Sequence, residues 1–148
     1  MRDYSHIMIV DDDVDTAELV KFVAKNEGLF SSIKKGGLSA LSFLHDMNYD
    51  VDAIIIDLSM PDMDGITLTK QIRQNENLRS KHNPAKIFWF TAWPFKVDDP
   101  NDPIVLAAQE SHVEKVYAKP ADIIEVVKDV KDKLGMPRHD SGAMEAMQ

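Results

Sequence analysis

Five polar residues suited to phosphoryl chemistry stand directly behind short apolar runs. Asp11 and Asp12 follow Ile7 to Val10, Asp57 follows Ala53 to Ile56, Thr91 follows Ile87 to Phe90, and Lys119 follows Val116 to Ala118. If these runs are parallel strands of one sheet, their carboxyl ends share the edge at which open α/β sheets bind ligands. Three carboxylates, a hydroxyl and an ammonium then face one crevice. A carboxylate attacking a phosphoryl group meets charge repulsion, so such a site needs a cation and fixed donors around the phosphoryl oxygens. Clustered carboxylates with carbonyl and water oxygens suit Mg²⁺, a hard cation that keeps several waters.

The elements that must position these residues are legible as alternating strand and helix patterns, the signature of a parallel sheet covered on both faces. Ile7 to Val10, Ala53 to Ile56 and Ile87 to Phe90 are continuous apolar runs, as doubly buried strands should be; Phe30 to Ile33 is weaker and reads as an edge strand. Val14 to Glu27 reads as a helix with Leu19, Val20 and Val23 inward and Gly28 ending it. Gly37 to His45 offers Leu38, Leu41 and Leu44 with Ala40, and Ile66 to Gln74 offers Leu68 and Ile72. Asp102 and Pro103 read as N-cap and first residue of a helix through Ala108. Ile123, Val127, Val130 and Leu134 mark the last helix, with Asp122 and Glu125 at capping-box spacing.

At 148 residues and 44% hydrophobic, the chain holds one full domain and is too short for two ordinary ones. The reading is one domain over residues 1–134 and a flexible tail over 135–148, polar and rich in small residues, which equally suits the start of a linker. Absence of cysteine excludes disulfides and thiolate zinc. No segment approaches the ~20 apolar residues of a membrane span, so a soluble cytoplasmic protein is expected. A net charge of −8 with no basic stripe argues against direct nucleic-acid binding.

Asp11-Asp12, the string Asp57-Leu-Ser-Met-Pro-Asp-Met-Asp-Gly65, Thr91-Ala92 and Lys119-Pro120 together resemble the receiver domain of two-component response regulators, the CheY-like family, over residues 5 to about 134. The resemblance implies a flavodoxin-like, doubly wound sheet of five parallel strands in order 2-1-3-4-5 with five helices, the order for which CheY itself is a standard example. At ~4.8 Å between strands, Asp57 falls between Asp12 and Thr91, and the long Lys119 stem spans the remaining gap. On this reading Asp57 is nucleophile, phosphoacceptor and metal ligand. Asp12 ligates Mg²⁺ directly, Asp11 supports it through water, and the Ser59 backbone carbonyl completes the protein's share. Lys119 pairs with Asp57 at rest and with a phosphoryl oxygen afterwards, while the Thr91 hydroxyl donates to another. Pro61 and Gly65 serve the turn after the third strand, and a cis bond joins Lys119 to Pro120.

The implied activity is phosphotransfer onto the protein itself from a histidine kinase or histidine phosphotransfer protein, switching the binding of a downstream target; it is not multiple-turnover catalysis. A phosphorylation-dependent homodimer stays open. Trp93 is placed to gate the site. Val116 stands where many receivers carry a switching aromatic, and the aromatic Tyr117 follows it, which argues against a rotating-aromatic switch. The stretch from Trp93 to Pro103 reads as an extended acidic, proline-rich loop suited to a partner surface.

Each residue also has a plainer explanation. Asp13 and Asp15 suit a helix N-terminus, Asp57 a turn, Thr91 a strand end and Lys119 a solvated loop. Trp89 and Phe90 suit the core, and His6, His45, His82, His112 and His139 show no metal-ligand spacing. Two other functions remain: a receiver-shaped docking module that is never phosphorylated, and a haloacid-dehalogenase-like phosphatase using Asp11-Asp12-Asp13. The latter leaves Asp57-Leu-Ser-Met-Pro unexplained.

Overall fold

The computed structural model describes residues 5–135. Five parallel strands, β1 (His6–Val10), β2 (Phe30–Lys34), β3 (Ala53–Ile56), β4 (Lys86–Thr91) and β5 (Lys115–Ala118), form one sheet in the order β2-β1-β3-β4-β5. They alternate with α1 (Val14–Asn26), α2 (Gly37–Asp46), α3 (Gly65–Leu78), α4 (Pro103–Glu110) and α5 (Ile123–Lys133). This is the expected doubly wound fold, with the polar Phe30–Lys34 strand at an edge. Residues 136–148 of the expected tail lie outside the described residues.

Alternation along the strands divides the core into two layers. Met8, Val10, Ile54, Ile56, Ile87 and Trp89 face α2, α3 and α4 through Leu44, Leu68, Ile72 and Ala108. Ile7, Ile9, Ile55, Phe88, Phe90 and Tyr117 face α1 and α5 through Ala17, Val20, Val126 and Val130. Trp89 and Phe90 are thus core residues on opposite faces, and the Trp89 indole N–H donates to Thr69 Oγ1 on α3 at 2.9 Å.

Helix faces differ from the expected ones where large residues outweighed small ones in the pattern. In α1 the buried stripe is Ala17, Val20 and Ala24, spaced i, i+3, i+7, and Leu19 is 51% exposed. In α2 the expected Ala40 and Leu44 are buried, and Leu38 alone departs, at 61% exposed. Alanines at the contact let these helices lie close to the sheet, and side-chain size was a poor guide to direction. Helix α3 runs four residues beyond Gln74 because its polar end is anchored: Glu76, itself buried, accepts from Arg73 at 2.9 Å and from the Ala85 N–H at 2.8 Å. The Arg73 guanidinium also donates to the Ser111, His112 and Ala85 carbonyls, fastening the end of α4 to α3 and β4.

The caps follow sequence logic at α4, where Asp102 accepts from the Ile104 and Val105 N–H groups and Pro103 opens the helix. At α5 the expected capping box is absent. Asp122 accepts instead from the Ala118 N–H at 2.9 Å, and Glu125 pairs with Lys115. A carboxylate just after β5 found the strand's donor nearer than its own helix.

Candidate functional site

Register carries the chemical residues to one edge. Val10 pairs with Ile56, and Ile56 with Trp89, so Asp11 and Asp57 lie side by side one residue beyond the paired positions. The ladder continues through them: the Asp57 N–H donates to the Val10 carbonyl at 2.9 Å, and the Asp11 N–H to the Lys34 carbonyl at 3.0 Å. On the other side Thr91 pairs with Ala118, and the Lys119 N–H donates to the Thr91 carbonyl at 2.9 Å. Lys119 is joined to Pro120 by a cis peptide.

The side chains converge accordingly. Lys119 Nζ lies 2.7 Å from Asp11 Oδ2 and 3.4 Å from Asp57 Oδ1. Asp11, Asp57 and Thr91 are buried, while Asp12 is exposed at the rim. The expected resting pair between Lys119 and Asp57 is therefore the longer of two, because Asp11, also beside the ammonium, takes the shorter contact. Asp13 keeps its plain role, accepting from Thr16 as the N-cap of α1.

Burial of the Asp57 carboxyl, reinforced by the neighbouring Asp11 charge, raises its pKa to about 6, against the opposing pull of Lys119 and the Ser59 N–H. Two acidic groups with one ammonium between them leave an excess of negative charge. One carboxylate oxygen from each of Asp11, Asp12 and Asp57 lies within 4.8 Å of the others. An all-oxygen, anionic set of this size fits a hard divalent cation such as Mg²⁺.

Gly65 serves the site by close approach. It is the first residue of α3, and a Cβ there would sit 2.4 Å from the Asp57 carbonyl oxygen and 2.8 Å from Leu58 Cα. Its N–H closes the loop by donating to the Leu58 carbonyl at 2.9 Å, and Asp64 caps α3 through Thr67. Pro61 lies exposed in the same loop.

Thr91 Oγ1 accepts from the Trp93 N–H at 2.9 Å, leaving the hydroxyl proton for another acceptor. Trp93 is half-buried against the α2, α3 and α4 layer. Val116 faces that same layer, whereas Tyr117 faces α1 and α5 and donates to Asp129 at 2.7 Å. The structure does not bring Tyr117 to the crevice. The 93–103 loop is ordered by its own turns: the Lys96 N–H donates to Asp102, the residue that caps α4, and the Asp102 N–H to the Asp99 carbonyl.

Asp62 is a residue that sequence patterning did not single out. Its carboxylate accepts from the Gly37 N–H at 3.2 Å and the Leu38 N–H at 3.0 Å, capping α2 from the β3–α3 loop. The signal was present in Gly36-Gly37: a helix whose N-cap residue has no side chain needs its first donors satisfied from elsewhere.

Residues 7–131 match the response regulator receiver domain family. The chain belongs to that family. It is 27% identical over 128 residues to the DNA-binding response regulator MtrA of Mycobacterium tuberculosis, covering 86% of this chain and 50% of MtrA. The chain spans half or less of the length of such curated relatives. Among solved structures, the receiver domain of Saccharomyces cerevisiae Ssk1, crystallised with the histidine phosphotransfer protein Ypd1, superposes with a TM-score of 0.75 at 20% identity, covering 91% of this chain and 92% of that one. The response regulator TrrA of Thermotoga maritima, in complex with Mg²⁺ and BeF, gives 0.66 at 25% identity, covering 88% and 98%. The protein is thus a receiver domain of two-component signalling. Among the described residues no helix is long and apolar enough to cross a membrane.

Proposed function

We propose that Asp57 accepts a phosphoryl group from a phosphohistidine of a histidine kinase or histidine phosphotransfer protein, and that the resulting acyl phosphate alters the binding of a target protein. One observation carries this reading: two buried carboxylates, Asp57 and Asp11, share a single ammonium at the carboxyl edge of the sheet. The TrrA complex with Mg²⁺ and BeF supports the metal requirement by kinship. The Ssk1 complex places a domain of the same fold on a phosphotransfer protein.

Asp57 Oδ attacks phosphorus as the bond from phosphorus to the donor imidazole nitrogen breaks, and the electron pair stays on that nitrogen. Lys119 leaves the shared carboxylates to neutralise a phosphoryl oxygen, and the Thr91 hydroxyl donates to another while it continues to accept from Trp93. Asp11, Asp12, Asp57 and the Ser59 carbonyl would hold Mg²⁺, which supplies charge neutralisation on the phosphoryl oxygens. Movement of Thr91 draws on the Trp93 backbone, so the difference between the two states is expressed in the ordered 93–103 loop. That loop is our candidate surface for the target. Hydrolysis of the acyl phosphate resets the switch.

The test is stoichiometry with acetyl phosphate. The expected result is Mg²⁺-dependent, acid-stable but base-labile labelling that saturates at one phosphoryl per chain, without sustained hydrolysis of phosphate esters. Multiple turnover on an ester would restore the phosphatase reading. Absence of labelling together with phosphate-independent target binding would restore the docking module.

A further inference from the structure

The loop that carries Asp57 and Ser59 into α3 has a second fastening that phosphoryl chemistry alone does not explain. Its base is closed by the bond from Gly65 N–H to the Leu58 carbonyl. Its tip is held by Asp62, which reaches across to the start of α2 and accepts from two successive N–H groups there. The Leu38 N–H foremost keeps the Asp62 carboxyl below its ordinary range, so the capping partner is the charged form.

The seat is fitted to this tip. A Cβ on Gly36 would lie 2.8 Å and 2.9 Å from the two Asp62 carboxylate oxygens, and a Cβ on Gly37 would lie 2.9 Å from the Met63 Cβ. Gly36 has φ −170° and ψ 172°, an extended conformation open to any residue. What glycine provides at 36 and 37 is therefore room for Asp62 and Met63, not backbone freedom. Two loops at the carboxyl edge of the sheet are locked together beside the acidic crevice.

We infer that Asp62 is a positioning residue: by clasping the β3–α3 loop to the N-terminus of α2, it fixes the Asp57 carboxylate and Ser59 carbonyl in the arrangement that takes a divalent cation. This rests on the Mg²⁺-dependent reading above. Partners hydrogen-bonded directly to a metal's ligands are worth about 10-fold to 100-fold in affinity, and Asp62, which acts on the ligands through the loop backbone, belongs at the lower end of that range. The loop tip bears that role here because the Ser59 N–H, donating to Asp57 Oδ1 at 3.3 Å, ties the loop to the carboxylate itself.

Removing Asp62 also uncaps a helix, so stability and positioning must be separated. Gly36 makes this possible. In Asp62→Ala the atoms nearest a new side chain at 36 are gone, and a serine there, in extended conformation, can cap α2 locally. The experiment measures Mg²⁺ affinity of the full chain by titration calorimetry, with MgCl₂ as the probe, alongside melting temperature. Asp62→Ala is expected to bind Mg²⁺ about tenfold more weakly. Gly36→Ser/Asp62→Ala is expected to recover wild-type melting without recovering affinity. Wild-type affinity in Asp62→Ala, or affinity returning together with stability in the double variant, would overturn the inference. A wild-type chain that binds no Mg²⁺ would overturn the metal reading beneath it as well.

Discussion

Asp57→Asn melts above the wild-type protein in Mg²⁺-free buffer at pH 7, although it removes the residue most important to the chemistry. The Asp57 carboxyl, at about 6 in the folded protein against 3.8 when solvated, binds its proton more tightly folded than unfolded. Stability tied to that proton is fully present below 3.8 and lost as pH rises through 6. At pH 7 the charged group therefore costs up to about 3 kcal/mol. Asparagine removes the cost and keeps a polar group of nearly the same shape, while Lys119 retains its shorter contact with Asp11. A net gain of roughly 1 to 2 kcal/mol is expected once solvent screening of the carboxyl and the lost Lys119 contact are counted. Two further signs accompany it: the difference from wild type closes as pH falls from 6 toward 4, and Mg²⁺ stabilises the wild type far more than the variant. Melting curves across pH with and without MgCl₂ check all three. A variant less stable than wild type at pH 7 would mean that the two carboxylates and Lys119 are balanced, and that no excess negative charge awaits a cation.

Gly65→Ala has the largest expected effect on the fold. The added methyl meets the Asp57 carbonyl oxygen at 2.4 Å and Leu58 Cα at 2.8 Å, both backbone atoms, with the Ile56 side chain at 2.9 Å. A flexible side chain could swing aside. Here either the first turn of α3 or the end of β3 must move, against the Leu58 bond and the buried Leu68 and Ile72 contacts. Overpacking without an escape route costs about 3 kcal/mol. Denaturant unfolding should show a lower midpoint at unchanged slope, and the displaced Asp57 should bind Mg²⁺ more weakly. Wild-type stability for this variant would show that the strand-to-helix turn is looser than its contacts imply.

The edge of chemistry was legible because each chemical residue follows an apolar strand, and parallel strands necessarily bring their carboxyl ends together. Asp11, Asp57, Thr91 and Lys119 need only register, which the buried runs dictate. Helix faces were less legible. Leu19 and Leu38 drew an inward assignment by size yet are exposed, and in α1 the unassigned Ala17 and Ala24 take the contact, since a close helix leaves room for a methyl; in α2 the expected Ala40 and Leu44 are buried. Interactions between distant segments were hidden for a different reason. The choice of Lys119 between Asp11 and Asp57 and the Asp62 clasp on α2 each depend on which partner lies nearest in three dimensions. Only the empty N-cap at Gly36 gave a local hint of such a partner.

The position of the phosphoryl label decides whether the crevice works as a phosphoacceptor. After incubation with acetyl phosphate and Mg²⁺, borohydride reduction of the acyl phosphate and peptide mass spectrometry should mark position 57 alone, and Asp57→Asn should carry no label. A stable label on Asp11, on Asp12 or on any histidine, or undiminished labelling of Asp57→Asn, would contradict that role.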